Sequence, residues 1–221
     1  MNRTAVTMTF ITLGVTLLWL VLMIASTVAA GPLDTFEQVL AHISNPGQLY
    51  FWNYLNAGLV TLAATGLFAS LFQIVRPATP TRAGVGLIFI PVYCVINLIC
   101  YFSQITIVPA LARSLNQADT APAARMLLEQ LIHEWPLSTM AFFNALAYAV
   151  LAIPSILYGA ALMREKGPLG AAGWLLLLSG VASIAGLLGI SMRVDLLGFG
   201  TLLSGVLFIA ALPLIAVGLR D

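Results

Sequence analysis

The chain has 221 residues, of which nine are Lys or Arg, eight Asp or Glu and two His, so its formal charge is +1. Charged residues make up 8% and hydrophobic residues 61%, against the roughly 25% charged of soluble domains. That balance excludes a nucleic-acid-binding face, which needs clustered Lys and Arg to neutralise phosphates, and leaves no segment with the composition of a soluble domain.

Six stretches, 4–33, 43–75, 83–112, 135–163, 167–192 and 196–219, contain no Asp, Glu, Lys, Arg or His. A hydrocarbon core ~30 Å thick takes about 20 apolar residues in a helix, so each stretch is long enough to cross it. The expectation is one domain over 1–221: an all-α integral membrane protein, with spans near 6–30, 51–75, 84–110, 137–162, 169–190 and 196–219. The first span begins like a signal peptide, with Arg3 ahead of an apolar run and Val28-Ala29-Ala30-Gly31 as a small-residue cleavage pattern. Its apolar run is far longer than the roughly 7–15 residues of such a segment, so it reads as a transmembrane helix.

Between the first two spans, Leu33, Phe36, Leu40 and Ile43 recur at helical spacing, and Asp34-x-x-Glu37 reads as a capping box. This predicts a short amphipathic helix on the outer surface. Tyr50-Phe51-Trp52 then suits the headgroup zone. Along the second span Asn53, Ala57, Thr61, Thr65 and Ala69 repeat at every fourth position, a seam of small residues that admits a close neighbour.

On the third span Tyr93, Asn97, Cys100 and Gln104 fall on one face. Cys94 and Cys100 lie ~9 Å apart along that helix and on different faces, so they do not bridge each other. The next loop has Ala124, Leu127, Leu128, Leu131 and Ile132 on one side, with Arg125, Glu129, Gln130, His133 and Glu134 on the flanks, which predicts a second outer surface helix. Trp135 and Asn144-Ala145 follow it as Tyr50-Phe51-Trp52 and Asn56-Ala57 follow the first. The shared order hints at a parallel repeat of spans 2–3 and 4–5. The fourth span adds Asn144 and Tyr148, four apart, and a mid-span Pro154; Pro91, Pro109 and Pro213 are further sites of bending. Small residues at Ala182, Gly186 and Gly189, and at Gly200 and Ser204, predict a closely packed hairpin of the last two spans.

Arg3, Arg76, Arg82, Arg164, Lys166 and Arg220 fall on the side of the termini, against Arg113, Arg125 and Arg193 on the other. The excess puts both termini of the multi-pass chain in the cytoplasm. In that orientation Asn53, Asn56, Gln104, Asn144 and Tyr148 share the outer half of the membrane. Amides facing lipid are costly, so these side chains and Asn97 should face the bundle. They are the candidate ligand-binding residues: Asn53, Asn56, Asn97, Gln104, Asn144 and Tyr148. The plainer reading makes them hydrogen-bonding glue between helices. The sharper one makes them the lining of an outward-opening cavity for a neutral or amphipathic molecule.

No span holds His for a haem, Lys for a Schiff base, or the Asp, Glu or His usual in ion pumps. No catalytic residue, metal site or cofactor is therefore expected. His133 beside Glu134 reads as a solvated polar pair, and Ser179, Ser183 and Ser204 as packing positions. Tyr101-Phe102-Ser103-Gln104, Asn144-Ala145-Leu146-Ala147-Tyr148 and Gly173-Trp174-Leu175-Leu176 resemble patterns of uncharacterised six-span bacterial membrane proteins, a domain-of-unknown-function type. That resemblance implies the topology above and a bacterial plasma membrane, and brings no activity with it.

Three function classes stay open. A non-catalytic membrane subunit or scaffold, with partner membrane subunits or further copies of itself, is preferred. A binder or transporter of a neutral or lipid-like small molecule is the alternative, and a lipid-modifying enzyme, which would need His133 and Glu134 to close over the cavity, the second. Membrane lipids are partners under all three, and nucleic acid under none.

Overall fold

The computed structural model describes residues 3–220, and every regular element among them is helical. Six helices are long and apolar enough to cross a membrane: α1 (Arg3–Ala30), α3 (Gln48–Val75), α4 (Pro80–Ser114), α6 (Thr139–Leu162), α7 (Pro168–Met192), and the pair α8 (Asp195–Gly198) and α9 (Gly200–Gly218), which together form the last span. Two short helices, α2 (Phe36–Ser44) and α5 (Ala121–Leu131), lie in the connections before α3 and α6. The chain is an all-α membrane bundle of six spans.

Helix ends follow local chemistry. α1 stops at Gly31, whose φ of 71° is the left-handed geometry that glycine adopts freely after a last helical turn. α4 and α7 open with proline in the first turn, where the missing N–H is no loss. α6 is capped by Ser138, whose hydroxyl accepts the Ala141 N–H at 3.0 Å. The capping box of α2 uses Thr35 and Gln38, one residue later than the expected Asp34 and Glu37. The Thr35 hydroxyl accepts from Gln38 N, and Gln38 Oε1 accepts from Thr35 N. The Glu37 carboxylate is free to pair with Arg125 instead.

α4 outruns its expected bounds at both ends, because a charged residue marks where lipid stops and not where helical hydrogen bonding stops. Its 35 residues make about 52 Å of helix, well beyond a ~30 Å core. Arg82 and Arg113 are inside it.

The spans pack in chain order: α1 on α3, α3 on α4, α4 on α6, α6 on α7, α7 on α9, and α9 back onto α1. They close a ring. The tightest seams are made by glycines. A Cβ on Gly159 of α6 would fall 2.7 Å from the Gly173 carbonyl oxygen of α7, and one on Gly200 of α9 would fall 2.7 Å from the Gly186 nitrogen of α7. Backbones this close gain dispersion contact that any larger residue would remove. α1 buries a stripe of Ala5, Thr9, Thr12 and Thr16, three of whose hydroxyls are satisfied by carbonyls in the helix's own preceding turn. The expected seam on α3 is buried at Ala57 and Thr61 but exposed at Ala69. α3 packs on both α1 and α4, so its buried face is broader than one four-residue stripe.

The two ends of the ring differ. The end carrying the termini is filled: Leu67, Phe68, Leu71, Ile90, Tyr158, Leu162, Leu176 and Leu212 form one core. Phe208 reaches from α9 to stack on Phe68 at 6.2 Å. The other end is covered by α2 and α5, whose Val39, Leu40, Ile43 and Leu128 pack with Tyr50, Tyr54 and Tyr101. Arg125 of α5 pairs with Glu37 of α2 and lies 5.4 Å over the Phe36 ring, which in turn meets Trp135 at 5.4 Å. Between core and cover the ring is open.

Candidate functional site

A cavity of about 550 Å³ occupies the open part of the ring and receives residues from all six spans, within the ~300–1,000 Å³ usual for small-molecule sites. Asn53 and Asn144 are each the sixth residue of their helix, so both stand about 7.5 Å in from the covered end. They occupy matching places in the two halves of the suspected repeat. The sequence pattern had paired Asn144 with Asn56; in the structure its counterpart is Asn53. Tyr148 lies one turn deeper, and its hydroxyl is 2.9 Å from that of Tyr101.

The other three candidates turn elsewhere. Asn56 donates to the Val15 carbonyl of α1 at 2.9 Å, since three residues past Asn53 it faces the neighbouring helix. Asn97 donates to Thr61 at 3.1 Å and does not line the cavity. Gln104 is fully buried and spends its amide on the connection after α5: it donates to the Leu131 carbonyl at 2.9 Å and accepts the His133 N–H at 3.0 Å. Leu131 is the last residue of α5, where carbonyls have lost their helical partners, so a long amide at the level of that loop satisfies them.

Gln104 thereby sets down two residues that were expected to be solvated. His133 and Glu134 are half-buried, and both line the cavity beneath the cover. His133 Nδ1 is 3.1 Å from the Tyr54 hydroxyl, and its ring sits edge-on to Tyr54 and Tyr101. Burial holds the imidazole down to about 4, so it is neutral at physiological pH. Burial pushes the Glu134 carboxyl up to about 7, and an interaction with the Tyr54 hydroxyl restrains the rise.

Four buried oxygens in the lining lack a hydrogen-bond partner among the described residues: Asn53 Oδ1, Glu134 Oε2, Asn144 Oδ1 and Thr201 Oγ1. Orphaned buried acceptors cost on the order of 1–3 kcal/mol each. All four are gathered around one cavity. His42 Nε2 and Asn97 Oδ1 are also unpartnered but lie off the cavity. Along the α7–α9 wall Ser179, Ser183 and Ser204 bond to one another at 2.6–3.0 Å. They hold two helices together, as expected of packing positions, and they also line the cavity.

The wall has a gap. Near the termini end α1 and α9 are joined, with the Arg220 guanidinium 4.8 Å over the Phe10 ring. Toward the covered end the same helices present Leu202, Gly205, Val206 and Thr27, which line the cavity while exposed on the outside of the ring. Leu202 is 63% and Val206 56% exposed, so the slot faces what would be lipid. Among the described residues no three His, Cys, Asp or Glu gather as a metal site would require. No protein-family model, no curated protein and no solved structure matches this chain.

Proposed function

We propose that the protein binds an amphipathic, lipid-like small molecule inside its ring of helices. One observation carries this reading: an interhelical cavity whose lining leaves four buried polar oxygens without partners. A scaffold has no need of such a space, because filling it with side chains would stabilise the bundle. On this reading the molecule is a multi-pass protein of a bacterial plasma membrane, as its resemblance to six-span bacterial membrane proteins implies, with both termini in the cytoplasm, as the six basic residues at the termini end against three at the covered end imply. The covered end with α2 and α5 then faces outward, and the slot between α1 and α9 opens to the outer leaflet.

Occupancy is tested by native mass spectrometry of protein released from membranes. A bound amphiphile is expected, and Val60→Trp, which adds bulk to the cavity from an apolar lining position, should expel it and melt no lower than ligand-stripped parent protein. A bare protein that no added amphiphile stabilises would return the reading to scaffold. Orientation is tested by impermeant thiol labelling of Ala118→Cys and Lys166→Cys in intact cells: only the first should react from outside, and reaction of both would overturn the topology.

A lipid-modifying activity gains the geometric condition set for it, since His133 and Glu134 do stand over the cavity. The hydroxyl on His133 is the phenol of Tyr54, a buried structural partner. Binding is the conclusion.

A further inference from the structure

Resting on the cavity being a binding site, we propose that it seats the ammonium head of an amine-bearing amphiphile among Asn53, Glu134 and Asn144, with the apolar tail in the slot between α1 and α9. The first argument is the match of donors to acceptors. Three elements, α3, the α5–α6 connection and α6, each supply one buried oxygen with no partner among the described residues: Asn53 Oδ1, Glu134 Oε2 and Asn144 Oδ1. A primary ammonium carries three N–H donors and no acceptor. Either asparagine amide can be turned over to offer its NH2 instead, whereas the Glu134 carboxyl, once ionised, only accepts and then sets the sign of what it meets.

Charge gives the second argument. Among the described residues no Lys or Arg lines the cavity, and Arg125 above it is engaged by Glu37. With the imidazole of His133 neutral, Glu134 is the one source of formal charge among the described lining residues. A carboxylate held at that depth by the Tyr54 hydroxyl alone is costly, whereas one also paired with a bound cation is compensated. A phosphate or carboxylate head would meet like charge with nothing to offset it. Aromatic side chains in the same lining, Trp19, Tyr54, Tyr101 and Tyr148 among them, add π faces of the kind that attract alkylammonium groups.

The third argument is shape. The residues with unpartnered oxygens, Asn53, Glu134, Asn144 and Thr201, lie toward the covered end, while Leu20, Met23, Leu202, Val206 and Ile209 supply apolar lining from α1 and α9. An ionic head drawn inward and a chain left between α1 and α9 satisfy both surfaces at once.

The test uses octylamine, 1-octanol and octanoate, which share a chain length and differ in head charge. Each is titrated calorimetrically into the full chain in non-ionic detergent at about pH 8, against protein-free micelles. There the amine is protonated and Glu134, with a pKa near 7, is largely ionised; its titratable neighbours Tyr54 and His133 are neutral. The amine is expected to bind about tenfold or more tightly than the alcohol, as for hydrogen bonds to a charged partner. Octanoate should be weakest. Glu134→Gln, which keeps the shape, should erase the preference for the amine and leave the alcohol's affinity in place. Asn144→Leu is a second variant in case the first does not fold, and should weaken the amine more than the alcohol. An alcohol that binds as well as the amine, or a preference that survives Glu134→Gln in folded protein, overturns the head assignment and leaves the cavity reading intact. Binding of none of the three would count against the cavity reading itself.

Discussion

At the scale of single residues, Glu134 and His133 pull stability in opposite directions as pH changes. His133 is held from 6.5 down to about 4 by burial, so between those values the unfolded chain binds the proton that the folded one refuses. Stability therefore rises with pH through that window. Glu134 is raised from 4.5 to about 7, so the folded protein holds the proton longer, and stability falls as pH climbs from 4.5 to 7. The two slopes overlap from 4.5 to 6.5 and nearly cancel. This pair should therefore leave little slope in wild-type thermal stability in detergent there, apart from a rise contributed by His42, whose imidazole burial also lowers. Glu134→Gln should expose the rising His133 limb and His133→Gln the falling Glu134 limb, each by roughly 3 kcal/mol at 25 °C across its window. Two variants with the same profile as the parent would show that neither side chain is as buried as its position implies. Gln104 underlies both shifts, because its amide fixes the loop that carries them.

Among the elements, what could be read in the sequence depended on whether a side chain announced its surroundings. The spans were legible because charge is expelled from hydrocarbon. The stripe on α4 was legible because Tyr93, Asn97, Cys100 and Gln104 recur at helical spacing, and all four are buried. The hairpin of α7 and α9 was legible from its small residues, which place Gly200 against Gly186. Which polar residues share a space was harder. Spacing gives the face of a helix but not the neighbour that the face meets, so Asn53, Asn144 and Tyr148 met in the cavity while Asn56, Asn97 and Gln104 became ties between elements. His133 and Glu134 looked solvated because loops usually are. The available signal was Gln104, a buried amide near the end of its helix and therefore level with the loop. The ring order itself was unreadable, since a lipid-facing leucine and a core leucine are the same residue.

For the molecule as a whole, the ring is closed by its least continuous seam. Five of its six junctions join spans that are consecutive in the chain, and the sixth joins the first span to the last. That junction is tight near the termini, where Arg220 covers Phe10, and parts toward the covered end. The roof of α2 and α5 is fastened by the Glu37–Arg125 pair and a packed apolar cluster, so the slot is the easier path for an amphiphile coming from lipid. Gly205 stands on that path: it lines the cavity, and a Cβ built on it meets no atom within 4 Å. Gly205→Trp should therefore obstruct the slot without disturbing the packing behind it. Stopped-flow measurement of octylamine association with the protein in nanodiscs should show a rate constant reduced by about tenfold or more, with equilibrium affinity changed only a few-fold. An unchanged association rate would mean that ligands pass under the roof, and Glu37→Gln, which loosens its clasp on Arg125, would then be the variant that speeds them.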